Sequence, residues 1–96
     1  MINLNIRARE AFENALRRKK TLPEINHQED ACSLCEEFTE FFRASETTAS
    51  QHIPKFTEAQ EELADIIIAC LTELYKRNTK IESLIKAKIK FNESRT

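Results

Sequence analysis

Apolar residues recur at helical spacing along most of the chain, and the polar positions between them mark the starts and stops of four helices. Leu4, Ala8, Ala11, Phe12, Ala15 and Leu16 form one stripe. They predict a first helix from about Leu4 to Lys20, whose cationic last turn (Arg17, Arg18, Lys19, Lys20) complements the helix dipole. Residues Thr21 to Ile25, with Pro23, read as a connector. Asn26 followed by Glu29 opens a second helix to about Ala44, with apolar positions at Ala31, Leu34, Cys35, Phe38, Phe41 and Phe42. The polar stretch Ser45 to Phe56 reads as an exposed loop. Thr57 and Gln60 form a T-x-x-Q capping box for a third helix to about Arg77. Thr79 and Glu82 offer a T-x-x-E box for a fourth, reaching Phe91 or beyond. Asn78, between them, is the usual substitute for glycine in a left-handed helix terminus.

The third helix carries Ile66, Ile67, Ile68, Ala69, Cys70 and Leu71 in succession, so its apolar surface runs all the way round. Such a helix has to be covered on several sides, which four short helices from one chain do not supply. The pattern predicts an all-α protomer, a bundle of four to five helices, that oligomerises through them. At 96 residues the chain is one domain, 1–96, because neither side of the central loop is long enough to fold alone.

Composition changes this picture by exclusion. The chain has no glycine, which removes phosphate-binding P-loops and dinucleotide fingerprints, and disfavours tight hairpins. Net charge is −1, with 15 basic and 16 acidic residues, so no overall field attracts nucleic acid or an anionic membrane. No apolar run approaches the roughly 20 residues of a membrane span and no signal-peptide core is evident, so the expected location is cytoplasmic. The three cysteines, Cys32, Cys35 and Cys70, are too few for a zinc framework and read as small packing residues. His27 and His52 read as structural or solvent-exposed, with no nucleophile arranged around them.

Candidate chemistry lies in carboxylates set among apolar residues. Glu37 and Glu40 are spaced i, i+3 on the second helix, as are Glu62 and Asp65 on the third, so each pair shares a helix face. Glu40 precedes Phe41 and Phe42, and Asp65 lies between Leu63, Ala64 and the isoleucine run. An acid in apolar surroundings is costly unless its charge is compensated, and four oxygen donors suit a hard divalent cation, Mg²⁺ with Mn²⁺ as its substitute. The alternative is a charged, solvated face. On the fourth helix Lys88, Asn92 and Arg95 fall at i, i+4 and i+7 and offer two cations and an amide to an anion, or else a solvated C-terminus.

Taken in order, EEFTE (Glu36 to Glu40), EELADI (Glu61 to Ile66) and AKIKFNESR (Ala87 to Arg95) resemble the E-x-x-E, E-x-x-D and K-x-x-x-N-x-x-R signature of the MazG-like all-α NTP pyrophosphohydrolases. The resemblance spans about residues 30 to 95. It implies that Glu37, Glu40, Glu62 and Asp65 bind Mg²⁺ and that Lys88, Asn92 and Arg95 contact nucleotide phosphates. By the same resemblance Glu36 and Glu61 are neighbours that hydrogen-bond water or a ligand, and in metal-assisted chemistry either Glu36 or Glu61 could orient or deprotonate the attacking water. The implied protein is a homodimer or homotetramer that cleaves nucleoside triphosphates to monophosphate and pyrophosphate, as in nucleotide-pool cleansing. Thr39 stands where that family usually has glycine, which predicts crowding between the two acidic helices. The competing expectation is a non-catalytic module of the same fold that serves oligomerisation or partner binding.

Overall fold

The computed structural model describes residues 2–95, and within them the chain forms four helices: α1 (Leu4–Arg17), α2 (His27–Arg43), α3 (Glu58–Lys76) and α4 (Ile81–Glu93). No strand forms; the only extended pairing among the described residues is an isolated bridge between Ala49 and Thr57. None of the helices is long and apolar enough to cross a membrane. The all-α architecture is the expected one. α3 is its centre: α1 and α2 both pack on α3 without touching each other, and α4 leans on α1 and α3.

The helix ends follow local chemistry. Asn3 caps α1, Asn26 caps α2 through the Glu29 amide, and the Thr57–Gln60 box caps α3 in both directions. α1 ends at Arg17, three residues before the expected Lys20. Lys19 there adopts φ 58°, its amide bonds Leu16 O, and the Lys20 amide bonds Ala15 O. Asn78 does the same for α3 at φ 57°, with the Asn78 and Thr79 amides on Tyr75 O and Leu74 O. Both are Schellman turns made without glycine. The second one displaces the expected Thr79 box, because Thr79 is consumed in closing α3. α4 instead begins at Ile81 after Lys80, with no side-chain cap of its own. Asn5 of α1 compensates, accepting from the Ile81 amide at 3.1 Å and donating to Thr79 O at 2.9 Å.

The core is small: Ala8, Leu71 and Ile81 are buried, with Leu4, Leu74 and Tyr75 packed around them. Tyr75 also meets Phe12, ring centroids 5.1 Å apart. The α2–α3 seam is held by ions instead. Asp30 Oδ1 takes the Lys76 ammonium at 2.7 Å and Oδ2 takes the Arg77 guanidinium at 3.0 Å, while Glu73 pairs with Arg77 at 3.0 Å. Lys76 Nζ also donates to Thr21 Oγ1 at 3.1 Å. The Lys76 side chain is 0% exposed and that of Asp30 is 6% exposed, so the cluster is desolvated and every charge in it has a partner.

Much apolar surface is uncovered. Phe42 is 89% exposed, Ile67 60%, Phe38 55% and Ile89 54%. The accessible surface is 7742 Å², against about 5,700 Å² for a compact monomer of this mass. The radius of gyration, 14.8 Å, likewise exceeds the roughly 12.5 Å of a compact chain of this length. The expected packing role of the cysteines does not hold in the protomer: Cys32, Cys35 and Cys70 are all unpaired and exposed. They lie on α2 and α3, whose outer faces carry no covering element.

Two outcomes follow for stability. Asp30→Asn leaves the buried Lys76 with only Glu73, at 3.7 Å, as counter-ion and lowers the unfolding free energy by about 3 kcal/mol in urea titration. Lys19→Gly relieves the left-handed backbone and raises it by about 0.5 to 1 kcal/mol in the same experiment.

Candidate metal centre

The Asp30 clamp and the acidic residues share one seam. Glu37 follows Asp30 by two helical turns on α2, and Asp65 precedes Lys76 by three turns on α3, so the clamp fixes the rotation and register of both helices. The result is convergence: Glu37, Glu62 and Asp65 each place a carboxylate oxygen within 4.8 Å of the others. All three are half-buried. Glu40, the fourth residue expected there, is exposed and outside this group. The i, i+3 spacing that holds Glu62 and Asp65 together leaves Glu40 on the more exposed side of Glu37, because only one of the two α2 acids faces α3. Glu40 acts on Glu37 and Glu62 through its charge alone.

The three acids press on one another. Burial, then the charge of Asp65, raises the Glu37 carboxyl above its usual range. Burial and Asp65 raise Glu62, and burial with the charge of Glu61 raises Asp65. This is the electrostatic condition of a site that gains from a bound cation. Opposite oxygens around Mg²⁺ lie about 4.2 Å apart, so a spread within 4.8 Å closes on the ion through side-chain torsion. The donors are all oxygen, which fits a hard cation and disfavours zinc.

Beside this triad, the gap between α1 and α2 is a cleft of about 790 Å³ floored by α3. Its acidic lining includes Glu36, Glu37, Glu61 and Asp65; its basic lining is Arg7, Arg18 and Lys20; Ile68, Ala69 and Leu71 supply apolar floor. Though His52 lines it, no Phe or Tyr side chain does among the described residues. Nor does any residue of α4. Lys88 and Asn92 project from the exposed α4, but Arg95 lies two residues past the end of that helix rather than on it as expected; Lys88 and Arg95 sit over the Phe91 ring at 4.8 and 5.8 Å, and none of the three lines the cleft.

Glu36 and Glu61 differ sharply in their engagements. Glu36 is exposed at the cleft. Both oxygens of Glu61 are taken: Oε1 accepts from the Ser50 hydroxyl, and Oε2 pairs with His52 Nδ1 at 2.9 Å. Ser50 and then His52 hold the Glu61 carboxyl below the usual range. The central loop is therefore ordered rather than simply exposed. Ser50 is 2% exposed, and its Oγ accepts the His52 and Ile53 amides at 3.2 and 3.1 Å. Ser45 likewise receives the Thr47 and Thr48 amides on Oγ and gives its own amide to Glu58. Thr39 is exposed, with its hydroxyl turned back on Cys35 O at 3.0 Å, so the expected crowding does not arise.

The residues that sequence reasoning missed are Arg18, Lys20, Ser50 and His52. The closing turn of α1 carries the first pair to the cleft, and long-range bonds to Glu61 hold the second. No local pattern in the polar stretch Ser45 to Phe56 signals the latter. Compared with known proteins, the chain matches no family model, no curated protein and no solved structure.

Because the triad carboxyls are raised on folding, they bind protons more tightly in the folded chain. The metal-free fold therefore gains from them as pH falls and loses that contribution as pH rises through their folded values. Glu62→Gln is expected to raise the thermal midpoint of the metal-free protein by a few degrees at pH 7. The difference disappears near pH 4, where Asp30, held down to about 2 against its burial by Lys76 and Arg77, keeps its charge although Glu73, raised by burial, takes up a proton. Thermal unfolding in a chelator at the two pH values measures both.

Proposed function

We propose that the chain is a Mg²⁺-dependent nucleoside triphosphate pyrophosphohydrolase of the MazG-like kind, acting on NTP or dNTP in nucleotide-pool cleansing. The observation that carries the reading is the meeting of Glu37, Glu62 and Asp65 from two helices at one point beside a cleft. These three would hold Mg²⁺ or Mn²⁺, with Glu40 adding charge from the rim. A divalent cation at such a site neutralises triphosphate charge and favours ionisation of water. The reaction forms a bond from the water oxygen to the α-phosphorus and breaks the bond from that phosphorus to the bridging oxygen, releasing pyrophosphate and the monophosphate. Glu36, exposed at the cleft, is the carboxylate with free oxygens to take the water proton. Glu61, occupied by Ser50 and His52, serves to hold the loop against α3.

The reading includes a homodimer or homotetramer. About 2,000 Å² of surface beyond that of a compact monomer supports it, because a stable interface takes roughly 800 Å² from each partner. The role that resemblance gives Lys88, Asn92 and Arg95 then needs an α4 supplied by a second copy, since α4 does not line the cleft of its own protomer. Exposed, unpaired cysteines suit a reducing compartment such as the cytoplasm. The bare apolar faces of α2 to α4 also favour a second reading, a non-catalytic helical module that binds copies of itself or a partner.

Pyrophosphate release from a panel of standard and damaged NTPs and dNTPs with Mg²⁺ or Mn²⁺ separates the two. The hydrolase reading expects turnover of at least one nucleotide and its loss by about a thousandfold in Glu62→Gln. No turnover on the whole panel, or equal rates in the variant, leaves the binding module. Sedimentation is expected to give a dimer or tetramer, and Phe42→Glu with Ile67→Glu to give a monomer.

A further inference from the structure

We propose that the turn closing α1 is the anion-receiving wall of the cleft, where the Arg18 guanidinium and the Lys20 ammonium grip the phosphates of a metal-bound polyphosphate ligand. This deepens the hydrolase reading and rests on it for the identity of the metal-binding wall. Within the protomer both residues line the cleft, and no α4 cation does. The other basic residues near the cleft and seam are already engaged: Arg7 with Glu10 at 2.9 Å, Arg17 with Asn14, and Lys76 and Arg77 in the Asp30 clamp. Among the described residues Arg18 and Lys20 form no ion pair, although acids line the same cleft.

An acidic wall and a basic wall that share a cleft of about 790 Å³ without direct pairing leave room for a ligand carrying both signs. A divalent cation bound to a chain of phosphates is such a ligand, metal toward α2 and α3, oxygens toward α1. The Schellman turn sets the placement. Lys19 at φ 58° reverses the chain between Arg18 and Lys20, which is how two residues so close in sequence both come to line the cleft.

The test uses inorganic tripolyphosphate as probe, titrated calorimetrically with and without Mg²⁺, and Mn²⁺ binding followed by paramagnetic resonance. Arg18→Gln/Lys20→Gln is expected to weaken tripolyphosphate binding by about tenfold or more while Mn²⁺ affinity stays within about twofold. Arg17→Gln/Lys19→Gln removes the same charge from the same run and is expected to leave both affinities within about twofold. Arg18→Lys/Lys20→Arg keeps most of the binding, and circular dichroism confirms the fold of each variant. Equal losses in the two glutamine variants, an unchanged affinity in Arg18→Gln/Lys20→Gln, or no tripolyphosphate binding by the wild type overturns the proposal. The two readings fail separately. Nucleotide turnover with an unaltered KM in Arg18→Gln/Lys20→Gln removes this wall and keeps the hydrolase; tripolyphosphate binding through Arg18 and Lys20 without any turnover does the reverse.

Discussion

The arrangement depends on one desolvated ionic cluster. Asp30 on α2 meets Lys76 and Arg77 at the end of α3, with Glu73 closing the ring and the Thr21 hydroxyl of the connector accepting from Lys76. Among the described residues no buried side-chain polar atom lacks a partner, which is the condition under which buried charge is tolerable. Apolar packing between α2 and α3 would permit small rotations and slips. Two point charges bridged by one carboxylate do not. The acidic triad two to three turns away inherits that registration, so the cluster stabilises a geometry that Glu37, Glu62 and Asp65 oppose by mutual repulsion.

Much of the fold was legible because it is written locally. The helix stripes, the Asn26 and Thr57 caps and the left-handed Asn78 all follow from residues within one or two turns. The misplaced boundaries have a common cause in competition between neighbours. Lys19 takes the left-handed position that the cationic run concealed, and Thr79 serves α3 before it could serve α4. Three of the four expected metal ligands converge because i, i+3 spacing constrains Glu62 and Asp65, while the seam angle that excludes Glu40 is a tertiary property. Arg18, Lys20 and the Ser50–His52–Glu61 set were illegible for the same reason: their places depend on how α1 and the central loop come back onto α3.

The absence of glycine acquires a structural meaning here. Positive backbone angles fall on a lysine and an asparagine, each inside a doubly bonded turn that holds it there. The chain thus gives up conformational ease at helix ends and gains side chains at those positions, which glycine would not supply. At the end of α1 that means cations on both sides of the reversal, facing a cleft whose opposite wall is acidic.

Asn5 carries a last consequence. Its single amide donates to Thr79 O and accepts from the Ile81 amide, joining segments 74 and 76 residues apart. Beyond Ile81, every described residue of α4 is exposed. The fourth helix is therefore a semi-autonomous arm, fastened at its root and free along its length. Its root belongs to the core, where Ile81 packs with Ala8 and Leu71, so the arm leaves its place only by opening that core.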